Sequence, residues 1–304
     1  MATAATIAAR PAGRRAEAFS LGPFLLVPAS LLVVAFLAAP LVVLLRYSFN
    51  RYSPREFMID AFTLENYARF FTDTYFIGVL TTTVQVAGVC TVVSLLFAYP
   101  LAYLMARTES RWKSALVIAV VFPLMVGNVV RAAGWMAVLG NEGIVNHALL
   151  SLGVISQPMR LMYTPFAVYV GIIAVVLPYM ILTLQSVIEG IGRDVEEAAA
   201  NLGAGPMTTF RRVLLPLSLP GVIAGGTLVF ILCMNAYATP VLLGGPQFKM
   251  MAPALYDQFT RTTNWPFGAA LAFILMTSTL VLTIVGTTVL SRRMHHRKLE
   301  AAPR

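Results

Sequence analysis

Apolar residues fall into six long runs along this chain, and shorter polar segments separate them. The runs cover 21–45, 76–105, 115–139, 165–187, 219–242 and 267–290. Each supplies about the 20 mostly apolar residues that a helix needs to cross a bilayer. None shows the alternation of apolar and polar residues over about ten positions that is typical of a membrane β-strand. The pattern therefore predicts an all-α integral membrane protein with about six transmembrane helices.

Composition supports this prediction. The chain of 304 residues is 58% hydrophobic and 12% charged, with a mean hydropathy of +0.78, whereas soluble domains have about 25% charged residues. The net charge of +9 does not indicate nucleic-acid binding, because the basic residues cluster at the ends of apolar runs, as membrane anchors do. Cys90 and Cys233 lie inside apolar runs, which favours helix packing over a disulfide framework or a metal site.

The ends of the chain are polar. We expect residues 1–20 to form a cytoplasmic tail, residues 21–291 a membrane domain, and residues 292–304 a basic cytoplasmic tail. A signal peptide is the alternative reading of the first run, but its apolar core exceeds the usual ~7–15 residues, which favours a retained anchor. Most of the 22 lysines and arginines fall in the segments that are cytoplasmic if both termini are inside, so the sequence predicts that orientation.

The polar interruption at 196–222 carries more structure than a simple connection requires. Glu196 and Glu197 begin a short helix, where acids complement the helix dipole, and the acids are available to a basic partner. Gly203 is suited to the left-handed residue that ends a helix, and Pro206 to the first turn of a second one. Pro216 and Pro220 are expected to end that second helix. The small alanines, Met207 and Phe210 offer a surface for a partner, although a plain re-entry loop remains the alternative.

The spacing of residues in this segment favours a partner-binding surface over a plain re-entry loop. Glu197-Ala198-Ala199 is followed after three residues by Gly203, and after nine more by Val213, with Leu215-Pro216 beyond it. This matches the EAA motif of ABC importer permeases, with Val213 at a position where isoleucine is usual. The chain therefore resembles the transmembrane subunit of a type I ABC importer. We call residues 193–217 the EAA loop.

Three further blocks narrow the resemblance to the spermidine/putrescine permease family, and to the first of its two permease subunits. They are the R-x-x-x-W-x-x-x-L-G block from Arg131 to Gly140, the T-P-x-L-L-G-G-P segment from Thr239 to Pro246, and the N-W-P-F-G-A-A block from Asn264 to Ala270. Together with the EAA motif they span residues of about 125–270, which is about half of the chain.

The resemblance implies a permease fold, a function and a set of partners. It implies that the EAA loop is a coupling helix that docks on an ATPase subunit, with coupling residues Glu197, Ala198, Ala199, Gly203, Val213, Leu215 and Pro216. It also implies two ATPase subunits, a second permease, a periplasmic solute-binding protein and a bacterial inner-membrane location. ATP hydrolysis would be carried out by the partner ATPase, because the chain has no phosphate-binding G-x-x-x-x-G-K-[ST] segment. We expect the chain itself to need no cofactor.

Polar residues at membrane depth are candidates for the solute pathway. They are Arg131, Trp135, Asn128, Asn235 and Tyr237. Ionisable residues within a span are functional candidates by default, although Arg131 lies near a span end, where long side chains also snorkel. Gly221 and Gly225 at the start of the fifth run favour close helix packing.

The sequence does not identify the transported solute. The resemblance implies a polyamine, yet the six runs contain no Asp or Glu where a cation route often has acids or aromatic faces. A phosphonate, an opine, an iron chelate or an amino-acid derivative is the alternative. A stand-alone secondary transporter would need titratable groups at the midplane, and a membrane enzyme would need a catalytic cluster; neither pattern is present.

Overall fold

The structure is a computed structural model that describes residues 21–300; the predicted tail at 1–20 and residues 301–304 lie outside the described residues. Contacts divide the chain into two units, Met1–Arg46 and Tyr47–Arg304. The helices of the described residues are α1 (Leu21–Ser48), α2 (Glu65–Thr72), α3 (Thr74–Arg107), α4 (Trp112–Met125), α5 (Asn128–Leu139), α6 (Ile144–Ser151), α7 (Pro165–Glu189), α8 (Asp194–Asn201), α9 (Pro206–Thr209), α10 (Leu215–Met234), α11 (Ala238–Leu243), α12 (Met251–Thr260) and α13 (Trp265–Glu300), with a π-helical turn, Phe210–Leu214, between α9 and α10.

The predicted all-α membrane fold is confirmed for the described residues. Five helical stretches there are long and apolar enough to cross a membrane: Ser30–Ser48, α3, α7, Pro206–Met234 and Trp265–Arg292. A sixth crossing is possible through α4 and the segment Asn128–Ser151, which are separated by a bend of 102°.

The third apolar run was wrongly predicted to be one helix over 115–139. It is broken at Val126 and Gly127, between α4 and α5. Pro123 lies in the last turn of α4 and has no N–H to continue the hydrogen-bond ladder. Gly127 then adopts an extended conformation, with φ −58° and ψ 146°. The chain changes direction there, although the residues on both sides of the bend are apolar.

The fifth apolar run, predicted over 219–242, ends as a helix at Met234. The Asn235 side chain donates to the carbonyl of Ile231 at 2.9 Å, a local bond that competes with helix continuation. The remainder of the run forms the separate short helix α11. Hydropathy alone does not register this break, because the residues on both sides are apolar.

Helices α3, α7 and α10 form the centre of the second unit. Gly221 and Gly225 let α10 approach α7 closely: a Cβ at Gly221 would lie 2.8 Å from Val187, and one at Gly225 would lie 2.9 Å from the Met180 sulfur. The predicted packing role of these glycines is confirmed. Cys90 and Cys233 are buried in the same core and unpaired.

The connections between the long helices are themselves ordered by hydrogen bonds. The short helix α6 lies in the connection between α5 and α7, and the buried Asn146 side chain bonds to the backbone of Gly140 and Met159. Helix α12 is held to α3 because the Met251 N–H donates to the Thr83 hydroxyl at 2.9 Å. These bonds attach the connections to the helix bundle.

Candidate functional site

The first turn of the EAA loop has the predicted geometry. Helix α8 carries Asp194, Glu196 and Glu197 in its first turn. At its end, Gly203 has φ +82°. The Ala204 N–H donates to the Ala199 carbonyl at 3.0 Å, and the Gly203 N–H to the Ala200 carbonyl at 2.9 Å. These two bonds are those of a Schellman cap, in which the left-handed residue favours glycine.

The second half of the loop differs from the prediction. Pro206 begins α9 as expected, but Pro216 and Pro220 do not end a helix, and helical structure continues from Pro206 to Met234. The wide turn at Phe210–Leu214 explains this, since the Leu215 N–H donates to the Phe210 carbonyl five residues earlier. A π-helical turn placed just before Pro216 gives the proline ring room that a regular α-helix lacks.

One side of the EAA loop is open to solvent. Glu197, Ala198 and Gly203 are exposed there. Two apolar side chains accompany them: Leu202 is 89% exposed and Met207 is 67% exposed. Large apolar side chains that none of the described residues covers are a common feature of contact surfaces.

The other predicted coupling residues are divided between the surface and the interior. Ala199 is buried, Val213 and Leu215 are partly buried, and Pro216 is exposed. The motif therefore contains both residues that face solvent and residues that pack toward the interior of the protein.

Two residues that were expected to face a partner instead face α3. Glu196 accepts a hydrogen bond from Arg107 Nε at 2.8 Å and another from the Tyr103 hydroxyl at 2.9 Å. The Phe210 ring stands edge-on to Tyr99, with 5.2 Å between centroids. Glu196 therefore forms an internal contact, and Glu197 is the acid of this pair that remains accessible.

Sequence reasoning missed Tyr99, Tyr103 and Arg107, the residues of α3 that receive the loop. They recur every four residues at the C-terminal end of α3, so they lie on one face of that helix. Two tyrosines and an arginine at this spacing, at the end of an apolar run, are the signal that was available. Which segment they contact was not readable from the sequence.

Arg131 lies in the first turns of α5, just beyond the bend. Its Nη2 donates to the Asn128 Oδ1 at 2.6 Å, and its Nε and Nη1 are buried without a hydrogen-bond partner among the described residues. Trp135, one turn further along, packs against a small apolar cluster that includes Leu139 and Leu243. Arg131 and Asn128 thus form a polar pair, while Trp135 belongs to the packing of α5.

Asn235 and Tyr237 lie in the break between α10 and α11. Asn235 lines a mainly apolar cavity of about 430 Å³ between α10, α12 and α13. Tyr237 pairs with Tyr256 of α12, with ring centroids 4.9 Å apart, and both rings are partly exposed.

Asp257 supplies an acid close to this tyrosine pair. Its carboxylate is 3.2 Å from Arg261 Nε and 3.8 Å from Lys249 Nζ. Asp257 is in a connection rather than in an apolar run, so a search for acids within the runs did not find it. The five predicted pathway residues do not form one cluster in the structure: Arg131, Asn128 and Trp135 are on α5, and the other two are beside α12.

Comparisons with known proteins agree with this fold. Residues 98–296 match the family described as "Binding-protein-dependent transport system inner membrane component". The chain is 32% identical over 268 residues to the spermidine/putrescine transport system permease protein PotB of Haemophilus influenzae, which covers 88% of this chain and 93% of that protein. It is 34% identical over 243 residues to PotB of Escherichia coli, which covers 80% of this chain and 88% of that one.

A solved structure extends the comparison to three dimensions. A chain of the bacterial alginate ABC transporter, solved with an alginate pentasaccharide-bound periplasmic protein, superposes with a TM-score of 0.75. The match covers 90% of this chain and 94% of that chain, at 17% identity. At this identity the similarity concerns the fold alone.

Proposed function

The chain belongs to the family of binding-protein-dependent transport system inner membrane components, and on that premise we propose that it is the permease subunit of an ATP-driven importer of polyamines. It forms one half of the translocation pathway through the bacterial inner membrane. ATP is bound and hydrolysed by a partner protein. The single observation that carries this proposal is the EAA loop, whose capped turn at Gly203 presents uncovered apolar residues outside the apolar runs.

The exposed side of the EAA loop is the proposed docking surface for the ATPase subunit. Leu202 and Met207 enter an apolar groove of that partner, and Glu197 meets a basic group at its edge. An apolar anchor surrounded by polar contacts is the usual composition of a protein interface. Two ATPase subunits, a second permease subunit and a periplasmic solute-binding protein complete the assembly.

Alternating access then requires the loop to move as a unit. When two ATPase subunits close around ATP, each carries its docked loop with it. The loop continues without a helical break from Pro206 into α10, so its displacement reaches the membrane core directly. Rigid-body motion of packed helices is a recurrent form of such transitions.

A polyamine is the solute that we propose, because the PotB relatives are spermidine/putrescine permeases. The Tyr237–Tyr256 pair supports a cationic solute, since ammonium groups are attracted to the faces of aromatic rings. Asp257 follows Tyr256 directly in α12 and provides an anionic group beside those rings. Its present partners Arg261 and Lys249 would have to yield to the solute.

Uptake of labelled spermidine and putrescine tests the proposed function. Cells that lack only this gene, with its operon neighbours intact, are compared with the parent strain and with a complemented strain. We expect ATP-dependent uptake to be lost and then restored. If uptake is unchanged while the protein still copurifies with an ATPase, the permease role stands and the solute is one of the alternatives, such as an anion that Arg131 could bind.

A substitution at Tyr237 tests the aromatic pair. We expect Tyr237→Ala to raise the spermidine concentration for half-maximal uptake about tenfold, which corresponds to ~1.4 kcal/mol and lies within the range for cation–aromatic contacts. Tyr237→Phe keeps the ring and is the matched control. Equal half-saturation for Tyr237→Ala and the parent protein would remove this pair from the pathway.

A further inference from the structure

The C-terminal end of α3 contacts the EAA loop and the start of α10 through three side chains on one face. Tyr99 shares a hydrogen bond of 2.6 Å with the Ser218 hydroxyl at the start of α10. Tyr103 donates to Glu196 Oε2, and Arg107 donates to Glu196 Oε1 through both Nε and Nη2. Both carboxylate oxygens of Glu196 are therefore occupied.

Arg107 also holds the segment that leads into the loop. Its Nη1 donates to the Ile191 carbonyl at 2.9 Å, and its own carbonyl accepts from Arg193 Nη2 at 2.5 Å. The Arg107 and Glu196 side chains are only 14% and 19% exposed. Removing one partner from a charged pair that is shielded from water is costly, because the remaining charge is left without its compensating partner.

The contact between Arg107 and Glu196 is important because it joins two segments that are far apart in the chain. The EAA loop is continuous in sequence with α7 on one side and with α10 on the other, but more than 80 residues separate Arg107 from it. Helix α3 nevertheless packs against both α7 and α10 in the core. A displacement of the loop reaches α7 and α10 through the backbone, and it reaches α3 only through side chains.

We propose that Glu196, held by Arg107 and Tyr103, is a positioning residue that makes α3 move together with the EAA loop during the transport cycle. This inference rests on the proposed function. It assigns different roles to two adjacent acids: Glu196 connects the loop to the membrane core, whereas the exposed Glu197 belongs to the partner surface. Coupling of this kind requires a contiguous physical contact between the moving parts, and the pair provides one.

The test measures solute uptake and ATP hydrolysis in parallel, on the assembled transporter in proteoliposomes. Glu196→Gln and Arg107→Gln each remove one charge of the pair. We expect ATP hydrolysis within about twofold of the parent complex and uptake per ATP at least tenfold lower. The exchange Arg107→Glu with Glu196→Arg restores opposite charges and is expected to recover part of the uptake per ATP.

Glu109→Gln is the matched control. It removes a carboxylate from an ion pair with Arg193, the first residue of the same loop, but Glu109 is 80% exposed and such a surface pair contributes little, so uptake per ATP should be unchanged. Amide hydrogen exchange across residues 193–203 adds a readout that is independent of the solute. Exchange there should become faster in Glu196→Gln than in Glu109→Gln, because only the first releases the loop from α3.

The outcomes separate this inference from the proposed function. A parent complex that hydrolyses ATP but does not take up polyamine argues against the proposed solute, and the exchange measurement still tests the contact. Normal uptake per ATP in Glu196→Gln would overturn the inference. If Glu196→Gln reduces the amount of assembled complex, the double variant Arg107→Glu with Glu196→Arg is the deciding test. Failure of that variant to restore both the amount of complex and the uptake per ATP would overturn the inference as well.

Discussion

Gly203 is the residue that sets the direction of the EAA loop. Its φ of +82° is unfavourable for any residue with a Cβ, although the space around it is open. We expect Gly203→Ala to cost about 1 kcal/mol and to lower the affinity of the permease for its ATPase about fivefold. The amount of ATPase that copurifies with the permease measures this effect.

Gly205 provides the control for that substitution. It lies two residues further on, also in open space, but with an ordinary φ of −72°. Gly205→Ala should therefore leave copurification unchanged. If both substitutions behave alike, the left-handed turn is not what presents the loop to its partner.

Arg131 is the other residue with a specific expectation. Its buried Nε and Nη1 lack partners among the described residues, and unmatched buried donors are costly to a folded chain. We expect that the missing partners lie on the second permease, so that Arg131→Ala reduces uptake about tenfold or more at normal abundance. Quantitative uptake with immunoblotting measures both, and unchanged uptake would identify Arg131 as an anchor of the helix end.

At the scale of elements, the structure differs from the sequence-based prediction at the ends of helices and not along their middles. The bend at Val126–Gly127, the stop at Met234 and the π-helical turn before Pro216 all depend on a few local residues. Each lies inside or next to an apolar run, where hydropathy is uniform. Hydropathy therefore locates the runs but does not resolve the breaks within them.

The attachment of α12 to α3 leads to a prediction at this scale. Thr83→Val keeps the shape of the side chain but removes the acceptor of the buried Met251 N–H, which should cost about 1–3 kcal/mol. A decrease of about 3–6 °C in the unfolding temperature of the purified protein is expected. Thr81→Val is the control, because Thr81 is exposed and bonds only within its own helix; equal stability of the two variants would show that the contact with α12 contributes nothing.

For the whole molecule, we propose that both termini and the EAA loop are cytoplasmic, as the bias of lysine and arginine predicts. The two native cysteines are buried, so added cysteines can report orientation against little background. A membrane-impermeant maleimide should label Glu56→Cys in intact spheroplasts and Thr208→Cys only after lysis, since both positions are exposed. The reverse pattern would invert the topology and move the EAA loop away from the ATPase.

The sequence by itself determined the class of fold, the number of apolar runs and the turn at Gly203. These features depend on local composition and on backbone conformation, which a short window of residues contains. The motif that identified the EAA loop is local in the same sense, because its residues lie within about 20 positions of one another.

Only the tertiary structure decided what the polar residues do. Glu196 and Glu197 are adjacent and chemically identical, yet the first bonds to Arg107 and the second faces solvent. The same applies to Asp257, which lies near Tyr237 because α12 folds back beside the break after α10. Which face of a short helix meets the core is set by contacts between segments far apart in the chain, and a linear pattern does not contain those contacts.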